Sequence, residues 1–226
     1  SIWGILGMIS RDPSLKSLKD FKGKEIAVPF RADMPDIVFQ ALIKKSGLDI
    51  KNDFKLQYVA TPVDAMQMLI LRRADHALLA EPAISIALRK TGSFPVKLIA
   101  PDLYRSINLQ EEWGRLYKIE AKIPQAGLAI IGDTNGKEEL ISKVLAEYDK
   151  SLAWYKNNKE EASKLVVKTL PMLEEKGLAD SIEHVRFENI NAINSKKDLE
   201  FFFDILMQND SKLIGGKLPN EDFYYK

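Results

Sequence analysis

Cysteine is absent from this chain of 226 residues. That excludes thiol nucleophiles, disulfides and cysteine-ligated zinc, and it suits a protein that works outside the cytoplasm. Histidine is scarce. His76 and His184 stand far apart without the spacing of a metal site, so a structural or surface role is the simpler reading for each, and no metal or other cofactor is expected. An excess of one charge is missing too: 33 basic residues face 32 acidic ones, a formal net charge of +1. No overall field therefore attracts nucleic acid, and Arg72-Arg73 and Lys196-Lys197 read as solvated helix surface. The longest apolar run near the start, Ile2 to Ile9, is too short to span a bilayer. The pattern of an export signal, a basic region followed by a long apolar stretch and a small-residue cleavage site, is not visible. Solenoid-period repeats and low-complexity tracts are lacking as well.

What remains is an ordinary globular composition, 46% apolar and 29% charged, long enough for one large domain or two smaller lobes. The chain is organised around Gly23 to Asp36, GKEIAVPFRADMPD. Ile26, Ala27 and Val28 read as a short buried strand ending at Pro29. A polar loop, Phe30 to Met34, follows, and Pro35 opens a helical rhythm at Ile37, Val38, Ala41 and Leu42. The same unit recurs twice. KLQYVA (residues 55–60) is followed by the cap, N1 proline and N3 acid of Thr61-Pro62-Val63-Asp64. His76 to Ala80 is followed by Glu81-Pro82 and a helix closed by Gly92. Strands alternating with helices make a parallel sheet, which places these strand ends and helix N-termini along one edge, the edge where ligands of open α/β sheets bind.

Other expectations follow in chain order. Ser1 to Ser10 reads as a strand, Ser17 to Asp20 as a capping box, Gly47 as a left-handed C-cap and Val96 to Ala100 as a fourth strand. Tyr104 to Lys122 is polar and carries Trp113-Gly114, and Ile123 to Ile131 is again strand-like. Helices then take over, with caps expected at Asn135, Asn158 and Ser195. The first of them carries a stripe, Leu140, Ile141, Val144, Leu145, Tyr148, Leu152 and Tyr155, expected to face inward. Extended segments at 1–9 and 123–131 thus flank an α/β part (residues 10–122), and a helical part runs over 133–226. That is the layout of two lobes with a paired hinge.

SLKDFKGKEIAVPFRADMPDIVF, YVATPVDAMQML, ADHALLAEP, IPQAGLAI and IGGKLPNEDFYY together resemble the nitrate/sulfonate/taurine-type solute-binding proteins of ABC importers, a group that includes the thiamine-pyrimidine-precursor binders. The resemblance covers essentially the whole chain. It implies a type II periplasmic-binding-protein-like α/β fold, with 1–9 and 123–131 as hinge strands, 10–122 as lobe two and 133–226 as the closing part of lobe one. It also implies a small anionic or heteroaromatic nutrient bound between the lobes, an ABC permease as membrane partner, and a periplasmic or extracellular, membrane-anchored lipoprotein. The opening α/β portion of lobe one has no counterpart in this sequence. Lobe one is therefore expected to be incomplete, with an unpaired sheet edge prone to self-association.

The residues expected to touch ligand lie at the strand ends and crossings. Arg31 suits a bidentate contact to a carboxylate, sulfonate or similar anion, or pairs with Asp33 or Asp36. Phe30 and Met34 belong to the same loop. Asp33 suits a ligand amine or caps the helix, Thr61 offers a hydroxyl or caps, and Glu81 favours the helix dipole or a cationic group. Trp3 and Trp113 are suited to stacking on a ring or to packing, and Gln125 is a further contact. None of these forms an acid–base or nucleophile pair, so no catalysis is expected. Two other roles use the same fold. A pyrimidine-precursor synthase needs reactive histidines and a cysteine-bearing motif, and a regulator's effector domain needs an upstream helix-turn-helix.

Overall fold

Gly4 divides the opening apolar stretch into two strands. The computed structural model describes residues 2–100 and 102–225, and within it β1 (Ile2–Trp3) and β2 (Leu6–Ser10) belong to different sheets. The break falls where glycine takes φ +75, a backbone state costly for other residues. β1 pairs antiparallel with β7 (Arg186–Phe187), while β2 is fully buried inside a five-stranded sheet. The hinge strand expected over 1–9 is therefore two strands with a bend between them. Ser1 and Lys226, outer bounds of the expected segments, lie outside the described residues.

The sheet also contains β3 (Glu25–Pro29), β4 (Lys55–Val59), β5 (His76–Ala80) and β6 (Tyr104–Asn108), in the order β4-β3-β5-β2-β6. β3 runs parallel to β4 and β5, and β2 runs antiparallel to both β5 and β6. The four strands other than β2 therefore point the same way. Each is followed by a helix: α1 (Met34–Lys45), α2 (Pro62–Ile70), α3 (Ala83–Gly92) and α4 (Leu109–Tyr117). The expected strand–helix units and the Ser17–Asp20 and Thr61–Asp64 capping boxes are all present, and Gly47 follows α1 at φ +77.

Four expectations need correction here. Val96 to Ala100 is a 3-10 turn (Val96–Leu98), because its N–H groups close locally, Leu98 onto the Pro95 carbonyl and Ala100 onto the Val96 carbonyl, and so are not offered to a neighbouring strand. The polar stretch 104–122 supplies β6 and a fourth helix. Residues 123–131 form no strand beyond a single bridge position at Ala126, and 126–131 run exposed. Pro82 stands at the N-cap of α3, one position before the expected N1.

Two apolar layers cover the sheet. One joins Leu6, Met8, Val28, Leu78 and Ile107 to α1 and α4; the other joins Ile9, Ala27, Ala77 and Leu79 to α2 and α3. The later helices are α5 (Glu138–Asn157), α6 (Lys159–Thr169), α7 (Glu175–Ile182) and α8 (Ala192–Asn209). α7 packs on α3 at Gly177, where a Cβ would lie 2.6 Å from Ile86 Cγ1. α8 brings Phe202 and Ile205 into the first layer. Lys137 precedes α5 in place of Asn135, and Asn191 caps α8, its side chain accepting the Asn194 N–H, so Ser195 lies inside the helix. Asn158 stands at the start of α6 as expected. The α5 stripe is half covered: Ile141, Leu145, Tyr148, Leu152 and Tyr155 are half-buried, whereas Leu140 and Val144 are 60% and 53% exposed and no residue of the helix is fully buried. Among the described residues no helix is long and apolar enough to cross a membrane.

Candidate functional site

The C-terminal ends of β3, β4, β5 and β6 place Phe30, Ala60, Glu81 and Asn108 on one edge of the sheet, each just before a helix N-terminus. Neighbouring strands are about 4.8 Å apart, so the edge gathers residues from distant parts of the chain within the span of a small molecule. The start of β2 joins the same edge, with Leu6 opposite Ala80 and Gly7 opposite Asn108.

At the β3 end, Phe30 and Ala32 both take left-handed backbone angles, φ 57 and 61. Such a loop persists only where its surroundings fix it, and Asp36 does so. This carboxylate, 1% exposed in the first turn of α1, accepts the Ala32 N–H (2.8 Å), the Gln40 amide (2.9 Å) and the Tyr58 hydroxyl (3.2 Å). Burial, reinforced by Asp36, pushes the Tyr58 hydroxyl up to about 12, so it remains a neutral donor at physiological pH. Arg31 lies over the Tyr58 ring, its Cζ 5.0 Å from the centroid. Asp33 caps α1, accepting the Met34 N–H at 2.7 Å, and Met34 is half-buried. Thr61 is engaged in its capping box, its hydroxyl donating to Asp64 at 2.7 Å.

Glu81 is committed to Arg105. The Arg105 guanidinium donates to Glu81 Oε1 (2.5 Å) and to Ser85 Oγ (2.7 Å), while Ser85 N–H donates to Glu81 Oε2 (3.1 Å). Beside this pair lies a cavity of about 250 Å³, lined by Glu81, Arg105, Ser106, Asn108, Glu111 and His184 and floored by β2. Ser106 Oγ is buried there without a hydrogen-bond partner. Of the residues expected to touch ligand, Glu81 alone lines this cavity.

The tryptophans lie elsewhere. Trp113 is fully buried, with Tyr117, Phe201 and Phe202 around it at centroid distances of 4.7, 5.7 and 6.1 Å, so neither indole face is open to a ligand ring. Trp3 is 1% exposed, with Lys122 Nζ 5.9 Å from its ring centroid. Gln125 is half-buried, and its amide donates to the Ile123 carbonyl at 3.3 Å. A serine–histidine hydrogen bond does exist, Ser10 Oγ to His76 Nδ1 at 2.9 Å, but it lies at the opposite edge of the sheet with both residues buried. Among the described residues no cluster of three potential metal ligands occurs.

Sequence reasoning missed Asp36, Tyr58 and Arg105. Asp36 reads as one of several first-turn acids, and Tyr58 as a strand residue. Arg105 sits in a strand too polar to stand out.

By sequence alone, no family model and no curated protein matches the chain. Solved structures do. The chain is similar to an ABC transporter protein from Parabacteroides distasonis, at 21% identity and TM-score 0.73 over 100% of this chain and 71% of that one. It is also similar to the periplasmic aliphatic sulphonate binding protein SsuA from Escherichia coli, at 17% identity and TM-score 0.68 over 99% of this chain and 69% of that one. The chain has the fold of ABC-transporter periplasmic binding proteins. A third structure of this fold, the alkanesulfonate-binding protein SsuA from Xanthomonas axonopodis pv. citri bound to MOPS, is 15% identical, with TM-score 0.52 over 91% of this chain and 65% of that one. In this fold the strand-end edge is the natural ligand edge, since α1 to α4 all begin there.

Proposed function

We propose that this chain is the solute-binding component of an ABC importer. It acts outside the cytoplasm, held to the membrane surface, takes a small anionic nutrient at the strand-end edge and delivers it to a membrane permease. The observation that carries this reading is the electrostatics of the edge. Asp33, Asp64 and Glu81 are each engaged by a backbone N–H, a hydroxyl or Arg105, whereas Arg31 makes no hydrogen bond or ion pair among the described residues. The charge left available beside β3 is positive, with four helix N-termini along the edge and Glu111 as an acid at its β6 end. The similarity to sulfonate-binding structures supports the same class of ligand.

In this reading residues 10–122 form one lobe, 133–226 the helical part of a second, and the chain crosses near Gly4 and Ile123. Gln110 touches both crossings: a Cβ on Gly4 would lie 3.0 Å from its Nε2, and its Oε1 accepts the Ile123 N–H at 3.3 Å. A thermal-shift screen across sulfonates, nitrate, pyrimidines and amino acids tests the proposal. A true ligand at a hundred times its Kd adds about 2.7 kcal/mol of stability. No shift with any member of the panel would contradict it.

A further inference from the structure

Resting on this receptor reading, we propose that Arg31 and Tyr58 form a clamp for an oxyanion group of the solute, and that Asp36 is its positioning residue. The guanidinium is exposed and held by a ring face alone, its Cζ 5.0 Å from the Tyr58 centroid. The cation sits over the ring, and no acceptor among the described residues takes its N–H groups. That geometry suits bidentate contact with two oxygens of a carboxylate or sulfonate. The flanking acids do not compete for it. Asp33 accepts the Met34 N–H at 2.7 Å, and Asp36 is buried beneath the loop with the Ala32, Gln40 and Tyr58 donors.

Asp36 fixes both halves of the clamp. One carboxylate oxygen takes the Ala32 N–H, which sets the loop carrying Arg31; the other takes the Tyr58 hydroxyl, which sets the ring. A single buried group therefore joins the β3 loop to β4. The left-handed angles at Phe30 and Ala32 mark a backbone held against its local preference. Such strain is tolerated where position matters, and here it places Arg31 over the ring. Lysine does not replace this group, because a point charge offers neither the flat face nor the paired donors.

The test is an NMR titration of the arginine Nε–Hε signals of the whole chain with ethanesulfonate, with acetate as a second arm and Arg73 as internal control. The Arg31 signal should move saturably while Arg73 does not, and the arm with tighter binding separates a sulfonate from a carboxylate ligand. Tyr58→Leu and Asp36→Asn should weaken binding about fivefold, the scale of a cation–π contact at an exposed site, while Tyr58→Phe, which keeps the ring, stays within about twofold. If Asp36→Asn does not fold, the Tyr58 pair still decides. Added methylguanidinium should restore ethanesulfonate binding to Arg31→Ala but not to Arg31→Ala with Tyr58→Leu, a rescue that a merely structural role would not show. Saturable shifts elsewhere on the strand-end edge with Arg31 silent, or wild-type affinity in Tyr58→Leu, would overturn the clamp and leave the receptor reading intact. No saturable shift anywhere would overturn both.

Discussion

Arg105 reaches from the edge strand β6 to Glu81 at the end of β5, its Nη1 2.5 Å from Glu81 Oε1, and the Glu81 side chain is 3% exposed. The pair crosses β2, which lies between β5 and β6, and ties the edge strand to α3 through Ser85. Removing the arginine leaves a buried carboxylate alone. Arg105→Met should cost about 2–3 kcal/mol, at the low end for such pairs because Arg105 is 35% exposed. Adding Glu81→Gln should recover most of that loss. Urea unfolding of the single and double variants measures both. Equal stability of Arg105→Met and wild type would show that the pair contributes little.

Gly4 combines φ +75 with a Cβ position 3.0 Å from the Gln110 amide. Gly4→Ala should therefore destabilise by about 1 kcal/mol or more, through both backbone strain and crowding. Gln110→Ala in the same background should relieve the crowding but not the strain. A partial recovery in denaturant midpoint is the expected result.

His76 is buried against Phe21, with Ser10 on its Nδ1 and Asp75, Lys24 and Asp12 as the surrounding charges. Burial holds its imidazole below the ordinary histidine range, and the nearby acids only partly oppose this. The folded protein thus favours the neutral ring more than the unfolded chain does. That contribution to stability is complete above the unfolded value of about 6.5 and is lost as pH falls through the folded one. Melting temperature should decline between neutral pH and pH 5, and His76→Gln should flatten that slope. An unchanged slope in the variant would assign the decline to other groups.

The stripe on α5 is only half covered. Leu140 and Val144 are exposed, as are Leu128, Ile130 and Ile131 in the irregular segment before the helix. A groove lined by Trp154, Tyr155, Leu165 and Val166 lies alongside, between α5 and α6. Apolar surface of this extent favours association. This chain by itself should form dimers or larger species through that face, seen by sedimentation at rising concentration. Val144→Lys with Ile131→Lys should restore the monomer without loss of folding stability. A monomeric wild type at high concentration would contradict the expectation.

How much of this was legible in the sequence follows from what each residue pattern reports. The three strand–proline–helix units carried their own signals, short apolar runs each followed by a proline at or beside the first helical residue. β6 and α4 carried none, because YRSIN alternates too little to mark a strand, yet β2 requires a partner there. VKLIA and IPQAGLAII look like strands by composition, but the first turns back on its own carbonyls and the second meets a partner at Ala126 alone, pairing choices that local sequence does not encode. Arg31 stood out as a charged residue at a strand end. Its platform did not, since Tyr58 and Asp36 are 22 positions apart and meet only through the parallel pairing of β3 with β4. Trp113 was legible as a residue suited to packing, but its partners were not, because Phe201 and Phe202, which enclose it, come from a helix far along the chain.

The central claim is that the strand-end edge binds a small anionic solute, and a backbone amide shift map with ethanesulfonate tests it most directly. The account predicts saturable shifts at residues 30–36, 60–64, 81–85 and 108–111. Shifts confined to the opposite edge, around Lys24, Phe54 and Asp75, or no saturable shift at all, would contradict it.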